Sequence, residues 1–503
     1  MNKHLKFASL VLVILSVVIV SCLSIAQGGA PPSLLRVMTG IHASLATNCT
    51  LYAAPNGNDS NSGTSPTSPK TLNGAAAATS PGSVVCLLGG RYDLGSNEFA
   101  PTIAGTSSAK ITYQAYGDGP ATLVWTGTKD YEPMVLIQGT YNGTTYSGTK
   151  FLTFQGLTLE GNGLALSGFQ CKQAVGVTFI GNTIVNTDGA GIETTDCDYV
   201  ISDHNLIYHN GYSTADSDTS GISYQTVPWA DTYTGFHNLI TSNIVVGQVD
   251  DATADSDGNG IILDWPYGSN TTTPPTLILN NIVYGNGGRC IVTNHNPNTN
   301  QNVTNFWIVN NTCFKNALDN RPLTYHFQEI AQLNSTSMTS LNAFVLNNIS
   351  SSWTANNPPY ALANASGVTY AKNLYFGAAC SPSTLCSGFI NGDPQFLTPP
   401  YFDPSLAGQY SMSRPPLPLT PNYETTTRCA VAGTQAWIPT CDIDSGFALA
   451  STSPAYGNIG VDPTTLTSDP NLKADLQVVV YKDINGNARG GTTGKWDLGA
   501  YQH

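Results

Sequence analysis

The sequence predicts a right-handed parallel β-helix, a solenoid of short stacked strands, and three observations carry that expectation. First, short β-forming runs recur behind an asparagine: Ile180-Gly-Asn-Thr-Ile-Val, His204-Asn-Leu-Ile-Tyr, Ser242-Asn-Ile-Val-Val, Asn280-Asn-Ile-Val-Tyr, Asn310-Asn-Thr-Cys-Phe and Asn347-Asn-Ile-Ser. Second, the composition is polar but poorly charged: 49 Gly and only 10% Asp, Glu, Lys and Arg. Third, 503 residues exceed the size at which one globular core stops growing, which leaves several domains or one solenoid.

The phased residues Asn182, Asn205, Asn243, Asn281, Asn311 and Asn348 step by 23, 38, 38, 30 and 37 residues. A bare coil takes roughly twenty residues, so the longer steps carry loop insertions. Coils about 4.8 Å apart bring identical residues into ladders, and stacked Asn amides can satisfy one another and the backbone. These asparagines therefore read as structural. A β-sandwich would show hairpin turn pairs and no phased Asn.

In chain order, residues 1–26 read as an export signal, with Lys3 and Lys6 ahead of an apolar run from Phe7 to Val20. Ile19-Val20-Ser21-Cys22 resembles a lipobox that would place a lipid on Cys22. Ser24-Ile25-Ala26 competes with it as an ordinary cleavage site. Residues 27–48 form a linker, and the β-helix domain spans 49–503. Lys70-Thr-Leu-Asn-Gly-Ala-Ala-Ala-Ala is a short helix capping the open end, where a bare β edge would invite association. Ser83-Val-Val-Cys-Leu-Leu-Gly-Gly-Arg-Tyr reads as the first rung, and the Pro-rich stretch of about 395–460 as an irregular excursion.

Behind the signal, ten cysteines fall into neighbouring pairs: Cys49/Cys86, Cys171/Cys197, Cys290/Cys313, Cys380/Cys386 and Cys429/Cys441. An even count in an exported chain points to disulfides, although sequence alone does not fix their connectivity. Two of these pairs lie about one coil apart, which predicts Cys171–Cys197 and Cys290–Cys313 as bridges between neighbouring coils. The spacings do not suit zinc. The net charge of −13 is localised: residues 173–288 hold thirteen Asp and Glu and no Lys or Arg. Nucleic acid is excluded as a partner by that sign, and no later segment is apolar enough to span a bilayer. The expected location is outside the cell or on its surface, and the expected state a monomer.

The opening Tyr52-x-x-Pro-Asn-Gly-x-Asp-x-Asn-Ser-Gly-Thr, the Gly89-Gly-x-Tyr92 rung and the closing Asp483-Ile-Asn-Gly and Asp497-Leu-Gly-Ala-Tyr501 resemble bacterial pectate-lyase-like β-helix proteins. They are most similar to the ninth polysaccharide lyase family and its relatives. The resemblance covers most of the chain beyond the signal. It implies the fold more strongly than the reaction, because relatives on this frame differ in activity.

One constellation stands above the repeat. Thr214-Ala-Asp-Ser-Asp218-x-x-Gly-Ile recurs as Thr253-Ala-Asp-Ser-Asp257-x-x-Gly-Ile, and Asp188-x-x-Gly-Ile carries the same core. This phase puts Asp188, Asp218 and Asp257 in one column, with Asp216 and Asp255 in a second beside it. Stacked carboxylates repel, so a cation sits among them or some are protonated. The alternative is that they cap their own turns. Oxygen-only ligands suit calcium, and the resemblance implies calcium held by aspartates on successive rungs, although the family's ligands do not match one by one.

The next coil changes sign at Gly287-Gly-Arg289-Cys-Ile, and His295, Lys315, Arg321 and His326 follow. Calcium and a basic side chain together are what β-elimination of a uronate requires: the carboxylate is neutralised, the C5 proton is acidified, and a base removes it. Lys315 is the better base and Arg289 the better carboxylate clamp, with His295 and Arg321 as further substrate contacts. Arg289 reads equally as an ion pair to the Asp column.

Three functions follow. The leading one is a calcium-dependent polysaccharide lyase acting on an acidic glycan. A glycoside hydrolase is the second, since Asn186-Thr-Asp188-Gly matches part of a polygalacturonase signature. The paired aspartates and Gly-His-Gly of that signature are missing. The third is a non-catalytic adhesin or glycan-binding scaffold.

Overall fold

The computed structural model describes residues 48–502 except 129–131, 149, 214–218, 251–256, 267–271, 297–300, 318–328, 334–341, 353–359, 362–366, 381–382, 385, 400–445, 491–493 and 495. The signal segment, Cys22, Cys429 and Cys441 lie outside these residues.

Three long sheets run side by side, and nearly all their neighbours pair in parallel, so the chain is the parallel β-helix that the repeat predicts. Sheet A begins at Leu51–Ala53 and ends at Val368–Ala371; sheet B runs from Gly90–Gly95 to Ile390–Asn391; sheet C contains Val135–Tyr141, Phe169–Lys172, Ile192–Thr195, Ile222–Gln225, Ile261–Asp264, Ile291–Asn296, Ile330–Leu333 and Tyr360–Ala361. Each coil visits A, then B, then C. Successive side chains alternate inward and outward. The inward set forms one continuous interior, including Tyr113, Phe154 and Phe179 stacked along it. The first strand is Leu51–Ala53, one rung earlier than Ser83–Tyr92, because Leu51 pairs with Val85 ahead of the expected start.

The asparagine ladder fixes the A-to-B turn. Asn243 donates its backbone N–H and its Nδ2 to Oδ1 of Asn281, at 2.9 and 3.0 Å, and a second Nδ2 bond reaches the Ser202 carbonyl at 2.8 Å. The pattern repeats from Asn182 to Asn348, and Asn373 adds a further rung through the Asn348 amide at 2.9 Å. The residue before each ladder asparagine takes a positive φ, as at His204 (52°) and Asn280 (57°), which turns the chain sharply from one sheet to the next.

The helix Leu72–Ala77 is capped by Thr71 and buries Leu72, Ala75 and Ala76 against the interior at the first strands. At the other end, the C-terminal helix Pro470–Val479 packs Leu472, Leu476 and Val479 on the outer face of sheet A, beside Leu239, Leu277 and Trp307. Ile484, Ala500 and Tyr501, with Phe447, cover the outer face of sheet B at Tyr208, Val246 and Tyr284. The two ends of the 395–460 excursion pair with each other through Phe396 and Leu449.

Among the described residues four disulfides are present: Cys49–Cys86, Cys171–Cys197, Cys290–Cys313 and Cys380–Cys386. Cys171–Cys197 and Cys290–Cys313 join neighbouring coils, with Cα atoms 6.4 and 5.7 Å apart. No helix among the described residues is long and apolar enough to cross a membrane.

Candidate functional site

Sheet C and the B-to-C turns that lead into it gather the chain's unusual charges. Strand register aligns Lys172, Thr195, Gln225 and Asp264 in one outward column, while their inward neighbours Cys171, Tyr224 and Leu263 join the core. Beside it lies a second outward column, in which the Gln170 amide donates to Glu193 at 2.8 Å. Lys172, Glu193, Thr195 and Gln225 are half-buried and form a polar strip along sheet C.

A second polar ladder holds the B-to-C turns. Thr187 donates its backbone N–H and its hydroxyl to Oδ1 of Asn210, at 3.0 and 2.9 Å. Asn210 reaches Gln248 at 3.2 Å, Gln248 donates its N–H to Asn286 at 2.9 Å, and Asn286 reaches Asn316 at 2.7 Å. The series ends on a carboxylate. Asn316 donates its N–H and Nδ2 to the two oxygens of Glu329, at 3.0 and 2.6 Å. Burial raises Glu329 to about 7, against the pull of those bonds and of Lys315.

The strand register aligns the isoleucines that follow the predicted acidic column. Ile192 pairs with Ile222 and Ile222 with Ile261, and Asp188 and Asp257 each precede their isoleucine by four residues. Asp188 is 1% exposed, and its main chain bonds Ala165 and Ser213 on the flanking coils. Asp257 is half-buried; Oδ1 accepts from Asn259 at 2.9 Å, and its N–H donates to Asp250 at 2.9 Å. Asp250, itself buried, is an acid the sequence reading passed over. Asp216, Asp218 and Asp255 lie outside the described residues. Among the described residues, the one set of three potential ligand groups within 4.8 Å is Cys290, Cys313 and Glu329, and its cysteines are in a disulfide. Asp188, Asp250 and Asp257 alone thus do not close a calcium shell; the donor chemistry suits the ion, and the undescribed aspartates would have to complete it.

Arg289 is 2% exposed, and its N–H donates to Asn259 at 3.0 Å. Burial lowers its guanidinium to about 10, with Asp257 pulling the other way. Lys315 follows the sheet B strand Thr312–Phe314 at a corner with φ 53°. Its amine donates to the Ser352 carbonyl at 2.5 Å and stands 5.6 Å from the Phe314 ring centre. Burial lowers its pKa, opposed by Glu329 and Asp393. Arg289 therefore responds to Asp257, and Lys315 to acids farther along the chain. His295 lies near the end of strand Ile291–Asn296, paired with Asn302; Arg321 and His326 lie outside the described residues.

The second ladder was readable: Thr187, Asn210, Gln248, Asn286 and Asn316 each follow a first-ladder asparagine by five residues. Lys172 and Asp264 were readable too, from the alternation Phe-Gln-Cys-Lys and Ile-Ile-Leu-Asp.

No protein-family model matches the chain, and no curated protein matches it. Among solved structures it is similar to pectate lyase Pel9A, at 17% identity over 91% of this chain and 97% of that one, with a TM-score of 0.48. It is also similar to a glycoside hydrolase (10% identity, 68% and 95% covered, TM-score 0.47). A third is PfbA, a surface adhesin of Streptococcus pneumoniae (14% identity, 60% and 74% covered, TM-score 0.39). At such identities and overlaps the likeness carries no argument about activity.

Proposed function

We propose that the protein is an exported, calcium-dependent polysaccharide lyase that holds an acidic glycan along sheet C and cleaves it by β-elimination. The observation that carries this reading is the buried Arg289 guanidinium beside Asp257, on the turn that leads into sheet C. A desolvated guanidinium is a strong, oriented partner for a carboxylate, and a uronate supplies one on every ring. Arg289 holds the C6 carboxylate, and Lys172, four coils away along sheet C, meets a carboxylate several rings distant. Lys315, whose amine burial makes less basic, takes the C5 proton. The C5–H electron pair forms a C4=C5 double bond as the C4–O4 bond breaks, and the leaving oxygen picks up a proton. Asp188, Asp216, Asp218, Asp255 and Asp257 are the proposed calcium ligands. Calcium bound there would neutralise charge on the substrate carboxylate.

The test is incubation of the exported chain with a panel of uronate polymers, with calcium or with chelator. A calcium-dependent rise in ultraviolet absorbance, lost in Asp257→Ala and Lys315→Ala, is expected. New reducing ends without that absorbance would mean hydrolysis. Full activity in Lys315→Ala would remove Lys315 as the base. A second reading, a glycan-binding scaffold, is favoured by one contact: the Lys315 amine is already committed to the Ser352 carbonyl at 2.5 Å. Binding without either product would establish it.

A further inference from the structure

We propose that a groove on the far side of the solenoid, where the C-to-A turns meet the C-terminal segment, binds neutral saccharide units. The proposal rests on the chain being carbohydrate-active. The groove offers about 500 Å³, within the range of ordinary ligand pockets. Its floor crosses successive coils: Pro275, Asn305 and Asn342 each stand just before a sheet A strand, and Leu466 to Leu472 form the opposite wall.

Two aromatic rings line it, and both are fixed. Trp229 donates its Nε1 to the Thr272 carbonyl at 3.0 Å and meets His237 edge-on, with ring centres 5.1 Å apart. Phe344 stacks on the buried Trp307 at 3.8 Å. Each is half-buried, so each keeps apolar ring surface toward the groove. Rings held this way lose little freedom on binding, and the C–H face of a pyranose is an apolar surface of matching shape.

The polar lining is suited to hydroxyls. Asn342 is exposed, and its amide is oriented by a 3.3 Å bond to Asn305, which in turn donates to the Thr273 carbonyl at 2.7 Å. Asp469 caps the C-terminal helix through the N–H groups of Asn471 and Leu472, at 2.8 and 3.0 Å, and can accept further donors. The lining contains this carboxylate and no Lys, Arg or His. A uronate would meet like charge and no counter-charge, whereas a neutral ring meets aromatic faces, amides and an acceptor. Charge thus divides the two faces of the molecule: charged side chains of both signs, Lys172, Glu193 and Asp264 among them, stand on sheet C, whereas among the described residues the groove's lining carries no cation.

The test is calorimetric titration of the whole exported chain with neutral hexasaccharides (cello-, xylo-, manno- and β-1,4-galactohexaose) and, in parallel, with hexagalacturonate in chelator. At least one neutral hexasaccharide should bind. Trp229→Ala should weaken that binding about tenfold, and Asn342→Gly, which suits the left-handed backbone there (φ 51°), should weaken it about fivefold. Neither variant should change hexagalacturonate behaviour or the ultraviolet assay. Three results would overturn the proposal: no neutral hexasaccharide binds at millimolar concentration, neither variant weakens binding, or Trp229→Ala weakens hexagalacturonate as much. Failure of the lyase reading looks different, as neutral binding that depends on Trp229 with no elimination product from any uronate.

Discussion

His209 is the most informative single perturbation of the solenoid. It occupies a B-to-C corner at φ 54°, is 4% exposed, and both ring nitrogens are buried without a hydrogen-bond partner. Burial lowers its pKa to about 4. Because the folded value lies below the unfolded one, near 6.5, the unfolded chain binds more protons between those limits. The neutral ring therefore supports the fold fully above pH 6.5, and that support is lost as the pH falls toward 4. Linkage gives a loss of about 2 kcal/mol by pH 5 and about 3 kcal/mol by pH 4, relative to pH 8. His209→Asn removes the titration and keeps a residue tolerant of the left-handed corner, as Asn186 is one coil earlier (φ 56°). Urea unfolding of both proteins at pH 8, 7, 6 and 5 reads the difference, and comparison at each pH cancels the other titrating groups. Wild-type stability should fall below that of the variant progressively under pH 6.5. Parallel curves, within about 0.5 kcal/mol from pH 8 to pH 5, would refute the reasoning.

Three further outcomes are expected. Asn281→Ala should destabilise by about 3–5 kcal/mol in urea unfolding, because it removes the acceptor of two Asn243 donors, the amide that donates to the Ile240 carbonyl, and one of the two donors to Asn311 Oδ1. Glu329→Gln should be more stable than wild type at pH 8 by about 1–3 kcal/mol and equal at pH 5. A buried acid raised to about 7 is bound to its proton at the lower pH and carries an uncompensated cost above it. Equal stability at pH 8 would show that Lys315 and Asn316 already compensate the charge. His237 is fully buried against Asp198 at 2.7 Å; burial lowers its pKa, yet Asp198 and the Tyr233 carbonyl outweigh it and the net shift is upward. Its contribution is complete below the unfolded value and lost as pH rises through the folded one, so Asp198→Asn should cost most at pH 5–6 and less at pH 9, read by thermal melting at each pH.

What could be read from the sequence follows the periodicity of each feature. The first ladder is an identical residue at each step, and its partner strands have fixed lengths, so Asn182 to Asn348 were visible as a column. The Cys171 and Cys290 bridges followed from the same coil length. The second ladder mixes Thr, Asn and Gln and ends on Glu329, so residue identity concealed it although the five-residue offset did not. The outward side chain of Lys172 was legible from its strand's alternation, but its alignment with Thr195, Gln225 and Asp264 was not, because register is fixed only when neighbouring coils pair. Lys315 was judged by its chemistry alone, and sequence gives no warning that its amine meets the carbonyl of Ser352, thirty-seven residues on. The groove at Trp229 joins segments more than two hundred residues apart, which no local pattern encodes.

The placement of function on this frame follows from where the coils can vary. Along the asparagine ladder the chain crosses from sheet A to sheet B in the same short step: Ile180 to Thr183, Thr241 to Ile244, Leu279 to Ile282, Leu346 to Ile349; ahead of the ladder, Ala115 to Ala121 takes a longer one. The asparagine ladder demands it, since one added residue would move every amide out of reach of the next. The other two turns carry no such constraint. Sheet B to sheet C takes Val185 to Ile192 in one coil and Val246 to Ile261 in another, and sheet C to sheet A takes Thr195 to Ile201 and then Gln225 to Asn238. All the length that distinguishes a 23-residue step from a 38-residue step is therefore placed on the two sides of sheet C. The same loops carry Asp188, Asp257 and Arg289 on one side and Trp229 on the other. Meanwhile the C-terminal segment packs on the outer faces of sheets A and B. A solenoid that must keep one corner invariant and two faces covered can diversify its chemistry most readily around the third sheet, and that is where Asp188, Asp257, Arg289 and Trp229 stand.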